Sequence, residues 1–305
     1  MKKQSVELEG CVMNYYPAKC KTDKAFIMVG MSRDVILNAC AKYMNDLGVA
    51  FMSVPAFKSG EKYTGMHSVP VERAKAAAEW LKSHGIKKIG TIGGSTTGML
   101  ALLIASLIPD ISLVFAFTPC DFVMQGFYSG KKEGGITEWP ADGESVITVG
   151  GEQVPFAPYG LGAEEYYDMS YGKASKQAGE LTGRAVFEHV ESSGIPEEAY
   201  IKAENIRGKI VLFGAEDDTL WDTAKYIRRM EKRLASHDFE YAFEPHIYTH
   251  GTHFIFPQAM LQKILPFGIN FFVGRMFKSG RAYPKECEAS RRDVQKYVEK
   301  AIREW

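Results

Sequence analysis

Apolar residues along the chain fall into two alternating patterns. Short apolar runs that end at glycine read as buried strands: KAFIMVG (24–30), VAFMSVP (49–55), KKIGTIG (87–93), SLVFAF (112–117) and GKIVLFG (208–214). Between them lie segments with apolar residues three and four apart, which read as helices: RDVILNACAKYMNDLG with Gly48 as its C-cap, VPVERAKAAAEWLKSHG with Pro70 near its first turn, TTGMLALLIASLIP and LWDTAKYIRRMEKRLASH. SVELEGCVMNYY near the start suits a strand or hairpin, FEYAFEPHIY a last strand, THGTHFIFP a loop, and the remainder is helical. Strand and helix alternating at short intervals predict a mostly parallel central sheet with helices on both faces.

The alternation lapses from about Thr118 to Asn205, a stretch rich in glycine and aromatic residues. A structureless loop of that length is foreign to a compact domain. Trp139, Phe156, Tyr159, Tyr166, Tyr167 and Tyr171 also argue against disorder. The expectation is a single domain over residues 1–305 with a cap inserted at 118–205, built of its own short helices.

Composition narrows the function classes. A chain of 305 residues that is 46% hydrophobic can bury a sizeable core. Lysine plus arginine and aspartate plus glutamate both number 37, so no basic excess points to nucleic acid. The basic run near the end, SGRAYPKECEASRRDVQKYVEK, is interleaved with Glu286, Glu288, Asp293 and Glu299 and reads as a solvated helix. Five scattered cysteines without a CxxC argue against a disulfide framework or a zinc site and suit reduced thiols in a cytoplasm. The acids and polar residues of the opening segment do not suit a signal peptide, and no apolar run is long enough to span a membrane. No spacing implies a metal or an organic cofactor, and the oligomeric state is left open.

Three polar groups stand at the ends of predicted strands, where open α/β folds gather their ligand-binding residues. Ser95 follows KKIGTIG, the pair Asp217 and Asp218 follows KIVLFGAE, and His253 follows the strand that ends at Tyr248. Serine, aspartate, histidine is the chain order of α/β-hydrolases. A serine hydroxyl becomes nucleophilic when an imidazole takes its proton, and the imidazole needs a carboxylate to fix its tautomer. The turn aims the N–H of Thr96 at a developing oxyanion, and a second donor is expected after the strand in IMVGMSRD, at Met31 with Ser32 as fallback.

The elbow pattern is G-x-S-x-G, yet here the fifth place is Thr97, with Gly98 one step late. A β-branched residue there must find room, expected from Gly93, Gly94 and Gly98. A strict match centres instead on Thr96 in GSTTG, but a threonine nucleophile is rare on this elbow and Ser95 keeps the strand in register. GGSTTG lacks the lysine of a Walker loop and follows the third strand rather than the first, against a phosphate or dinucleotide site. For the acid, counting on from Gly214 selects Asp217 and counting back from Trp221 selects Asp218, the favoured one. His253 competes with His250; His84 looks like a helix C-terminal residue.

These stretches resemble the C-terminal catalytic domain of the acyl-CoA thioester hydrolases and bile-acid-CoA:amino-acid N-acyltransferases. IGTIGGSTTGMLAL is similar to that family's elbow, KIVLFGAEDDTLWDTAKY to its acid segment and YTHGTHFIFP to its histidine loop; CDFVMQGF, TEWPADGE and VPFAPYG resemble its cap. The resemblance covers about residues 24 to 275 and implies an α/β-hydrolase fold with Ser95, Asp218 and His253 as catalytic residues. Thr97 replaces the usual glycine, Thr252 replaces the glycine before the histidine, and Asp222 stands where proline is frequent. The sheet begins almost at once, so the N-terminal β-sandwich of longer members is expected to be missing, which weakens the inference of CoA recognition. Acyl-transferring members tend to use cysteine, so Ser95 implies water as the acceptor.

The resulting expectation is a serine hydrolase that cleaves a carboxylic ester or thioester of a small-molecule acyl substrate, with no nucleic-acid or membrane partner. A carboxylesterase or peptidase on the same fold is the nearest alternative. A catalytically inactive ligand-binding homologue is the alternative of another class.

Overall fold

The computed structural model describes residues 3–30, 34–56 and 64–305. Among these residues, eight strands form the central sheet: β1 (Gln4–Leu8), β2 (Cys11–Tyr16), β3 (Lys24–Gly30), β4 (Ala50–Pro55), β5 (Lys88–Gly94), β6 (Ile111–Phe117), β7 (Lys209–Ala215) and β8 (Phe243–Tyr248). Their spatial order is β1-β2-β4-β3-β5-β6-β7-β8. The β1–β2 hairpin closes through Glu9 and Gly10, both at positive φ (49° and 63°), as a tight two-residue turn requires. β2 pairs antiparallel with β4, and the pairs from β4 to β8 are parallel.

The continuous apolar runs of the inner strands are explained by burial on both faces. Along β3, Ala25, Ile27 and Val29 enter one core and Phe26 the other; along β6, Val114 and Ala116 part from Leu113, Phe115 and Phe117 in the same way. The first core is closed by α2 (Val71–Ser83), α3 (Thr96–Leu107) and α7 (Thr223–Ser236) through residues such as Ala74, Leu100 and Ile227. The second is closed by α1 (Asp34–Asp46) and the terminal α11 (Pro284–Glu304) through Tyr43, Val294 and Val298. Period-two alternation in the strands and helical spacing in the connections thus meet in two cores, one on each side of the sheet. The predicted strands and helices recur with most ends moved by a residue or two; β8 begins four residues later than expected and α7 three. Pro70, expected near the first turn of α2, is its N-cap.

Between β6 and β7 the chain leaves the sheet. It forms α4 (Ala163–Met169), α5 (Lys173–Ala178) and α6 (Arg184–Ser193), but also strands that periodicity did not predict. Gln125–Ser129 pairs with Glu138–Ser145 and with Thr64–Met66, and Ile147–Val149 pairs with Glu152–Gln153 and with Val69–Pro70. These strands are short, one of them contains Pro140 and Gly143, and each small sheet borrows a strand from far upstream. No alternation within the segment announces such pairing. Trp139, Tyr159 and Tyr166 are buried in it, so the aromatic residues form a packed interior. The chain ends through α8 (Gln258–Gln262), α9 (Ile269–Met276), α10 (Lys278–Ala282) and α11. Among the described residues no helix is long and apolar enough to cross a membrane.

Candidate active site

Ser95 sits between β5 and α3 with φ 59° and ψ −132°, a conformation that non-glycine residues rarely adopt and that costs about 1–3 kcal/mol. Contacts on both sides hold it there. The Ser95 N–H donates to the Phe117 carbonyl at 2.8 Å, and its own carbonyl accepts from Gly98 and Met99 at 2.9 and 3.1 Å. The glycines are sterically required: a Cβ on Gly93 would lie 2.0 Å from the Thr97 carbonyl oxygen, and one on Gly98 would lie 2.8 Å from that of Phe117. Gly94 lies against the Phe256 ring, which a Cβ would approach to 2.2 Å.

Thr97 fits for a reason that lies outside the turn. Its methyl occupies the space above Gly30, the last residue of β3, rather than space left by Gly93, Gly94 and Gly98. Its hydroxyl donates to the Gly94 carbonyl at 2.8 Å and accepts from the Gly94 N–H at 2.9 Å. The residue that breaks the sequence pattern therefore ties the turn together.

Beyond β7, the two aspartates diverge. Asp218 is buried, and both of its carboxylate oxygens face Nδ1 of His253, at 2.8 and 3.0 Å. The Leu220 N–H donates to the same carboxylate at 2.9 Å, and the Thr223 hydroxyl also donates to it. With Nδ1 facing a carboxylate, Nε2 is the nitrogen left to accept a proton, and among the described residues it is buried without a hydrogen-bond partner. The Trp221 ring packs edge-on against the imidazole at 4.8 Å, and its own N–H donates to the Thr118 carbonyl at 3.1 Å.

Asp217 holds the backbone of the histidine loop. It accepts from the N–H groups of Gly251 and Thr252 at 3.0 and 2.8 Å and from the Ser279 hydroxyl, and it lies 3.3 Å from Nδ1 of His250. His250 in turn stacks on Tyr283. Thr252 takes φ 59°, the left-handed region that a glycine would occupy freely, and its hydroxyl accepts from the Phe254 N–H at 3.1 Å. Asp222 accepts from the Lys225 N–H at 3.1 Å as the N-cap of α7 and pairs with Arg184 of α6 at 2.5 Å. Each of the three departures from the family pattern has a local structural role.

Ser95, Thr96 and His253 line one cavity of about 360 Å³. Thr96 is the first residue of α3, so its own N–H has no partner within the helix. Met31 and its fallback Ser32 lie outside the described residues. Cys40 also reaches the cavity, but burial pushes its thiol up to about 12, so it stays protonated at neutral pH. Glu138 and Tyr171 face the same space from the inserted segment. Both fall in the segment expected as a cap, Glu138 within TEWPADGE, but nothing in their spacing points to the cavity. The arrangement has the parts for acyl transfer: a hydroxyl at a strained turn, an imidazole held by a carboxylate, and helix N–H donors beside them.

Comparison with known proteins agrees with this geometry. The model of the family described as BAAT / Acyl-CoA thioester hydrolase C terminal matches residues 69–261, and the chain belongs to that family. Among curated proteins, none matches the sequence. Among solved structures, a Klebsiella pneumoniae protein assigned as a dienelactone hydrolase is similar at 12% identity, covering 100% of this chain and 98% of that one, with a TM-score of 0.53. An esterase from Pyrococcus furiosus is similar at 16% identity, with 92% and 90% of the two chains covered and a TM-score of 0.50. A mutant form of esterase rPPE has 13% identity, coverage of 96% and 80%, and a TM-score of 0.50. At such identities the likeness shows the fold, which is that of the α/β-hydrolases.

Proposed function

Proceeding from that family membership, we propose that the chain hydrolyses a carboxylic ester or thioester through an acyl-serine intermediate on Ser95. In this reading His253 Nε2 takes the Ser95 proton as the hydroxyl attacks the acyl carbon, and Asp218 holds the ring and stabilises its charged form. The Thr96 N–H stabilises the oxyanion, with the backbone N–H at Met31 proposed as second donor. Collapse of the tetrahedral species expels the alcohol or thiol, which receives the proton from His253. Water, deprotonated by the same imidazole, then releases the acid. The inserted segment acts as a cap over this site.

The observation that carries the reading is the pairing of His253 with Asp218, which leaves Nε2 without a partner among the described residues, in a residue that lines the same cavity as Ser95. That cavity, at about 360 Å³, is near the lower end for small-ligand sites and has mostly apolar walls, which suits an acyl group. The fitting of Thr97 and Thr252 into hydrogen-bonded roles weighs against a homologue that has lost activity.

Turnover of acyl-CoA thioesters, p-nitrophenyl esters and aminopeptidase substrates by wild type and Ser95→Ala tests the proposal. Hydrolysis of esters or thioesters that Ser95→Ala abolishes is the expected result. Activity confined to peptides, or surviving in Ser95→Ala, would sink it.

A further inference from the structure

Most polar groups around the cavity already have a use: Ser95, Thr96 and His253 in the proposed reaction, and the Thr97 hydroxyl in its bonds to Gly94. Glu138 and Tyr171 do not. Glu138 begins the strand Glu138–Ser145, and its neighbour Trp139 is buried against Tyr128. The Tyr166 hydroxyl donates to the Glu138 carboxyl at 3.0 Å, and Tyr171 lines the same space beside it. Beyond Glu138 the cavity abuts a chamber of about 40 Å³ lined by the same Glu138 and Tyr171 together with Tyr159 and Tyr166. That chamber has room for about one water or one small polar group.

A carboxyl is a costly way to line an acyl pocket. Desolvation pushes Glu138 up to about 7 despite the two tyrosine hydroxyls, so near neutral pH it exists in both protonation states. A carboxyl offers about four acceptor positions, and the two tyrosines do not use them all. Among the described residues no lysine, arginine or histidine contributes to holding its charge. An ammonium group suits the carboxylate form alone. A hydroxyl can donate to the carboxylate or accept from the carboxylic acid, so it suits both forms.

We propose that Glu138 and Tyr171 form a polar subsite that recognises a hydroxyl on the acyl group of the substrate, making the protein selective for hydroxyacyl over plain alkanoyl substrates. The proposal rests on the reading of the Ser95 cavity as the acyl site. Glu138 acts as a specificity residue and takes no part in the bond-breaking step. A substrate lacking the hydroxyl leaves the carboxyl facing an apolar chain with acceptors unfilled, which a site built for hydrogen bonding penalises.

The test is calorimetric binding of methyl ω-hydroxyalkanoates, methyl alkanoates of equal length and methyl ω-ammonioalkanoates to the Ser95→Ala protein, which holds esters without turnover. At the best-fitting length the hydroxy ester should bind about tenfold more tightly than the alkanoate. Glu138→Leu in the same background should erase the ratio, weakening the hydroxy ester and relieving the penalty on the alkanoate, and Glu138→Gln, which keeps an acceptor, should retain part of it. A Glu138→Leu protein that unfolds leaves Glu138→Gln to decide, by a ratio reduced from that of the parent. Equal or absent binding across the series, a ratio untouched by the Glu138 variants, or a preference for the ammonium ester overturns the proposal. Because Ser95 is absent from the assay, discrimination without ester turnover in wild type would refute the hydrolase reading alone. Turnover without discrimination would refute the subsite alone.

Discussion

The Thr97 methyl lies over Gly30: a Cβ added at residue 30 would come within 2.8 Å of Thr97 Cγ2. The two positions are therefore coupled, since one can be β-branched because the other has no side chain. Gly30→Ala should cost about 1–3 kcal/mol by overpacking beside the turn. Thr97→Ser keeps the hydroxyl bonds to Gly94 and removes the methyl, so adding it to Gly30→Ala should restore most of the loss. Denaturant unfolding of the two single variants and the double variant checks this, and additive losses would count against it.

The neighbouring aspartates should separate activity from stability. Asp218→Asn keeps the shape beside His253 but disturbs the tautomer, and kcat should fall on the order of 10³–10⁴-fold with little change in melting temperature. Asp217→Ala removes the acceptor of two backbone N–H groups and the Ser279 hydroxyl, at about 2–4 kcal/mol of stability. Its kcat, measured well below the lowered transition, should stay within about tenfold of wild type. Kinetics and thermal unfolding on the same preparations distinguish the two roles.

Asp222 caps α7 and pairs with Arg184, whose guanidinium also donates to the Asp218 carbonyl at 3.2 Å. Asp222→Ala should lower stability by about 1–2 kcal/mol, and Arg184→Ala should add less in that background than alone. A double-mutant cycle by chemical denaturation measures the coupling.

Glu138 makes stability depend on pH in a predictable direction. Its carboxyl titrates at about 7 in the folded protein against 4.5 as its ordinary value. Between those values the folded state binds more protons than the unfolded one, so this group's contribution to stability falls as pH rises through that window. Glu138 is only half-buried, so screening should hold the loss to about 1–3 kcal/mol. Glu138→Gln should flatten that part of the profile, which unfolding curves across the window would reveal.

The sheet was legible because its inner strands are apolar on both faces; Ser95 and Asp218 were legible as candidates because each follows one of those strands, and His253 because it follows the half-buried edge strand β8. The tryptophan three residues after Asp218 also resolved the choice of acid in the direction the geometry takes. Other features depend on partners distant in sequence. The space for Thr97 comes from β3, the small strands of the inserted segment pair with residues 64–70, and Asp217 acts through residues 251, 252 and 279. Glu138 belongs to the same class: a charged residue beside Trp139 reads as surface until the fold turns it toward Ser95's cavity.

The account stands on Ser95 being an activated nucleophile, and fluorophosphonate labelling followed by mass spectrometry of the modified peptide tests that most directly. The account predicts one adduct, on Ser95, lost in Ser95→Ala and slowed by His253→Ala with the fold intact. An adduct on Thr96 or elsewhere, or no labelling of well-folded wild type, would contradict it.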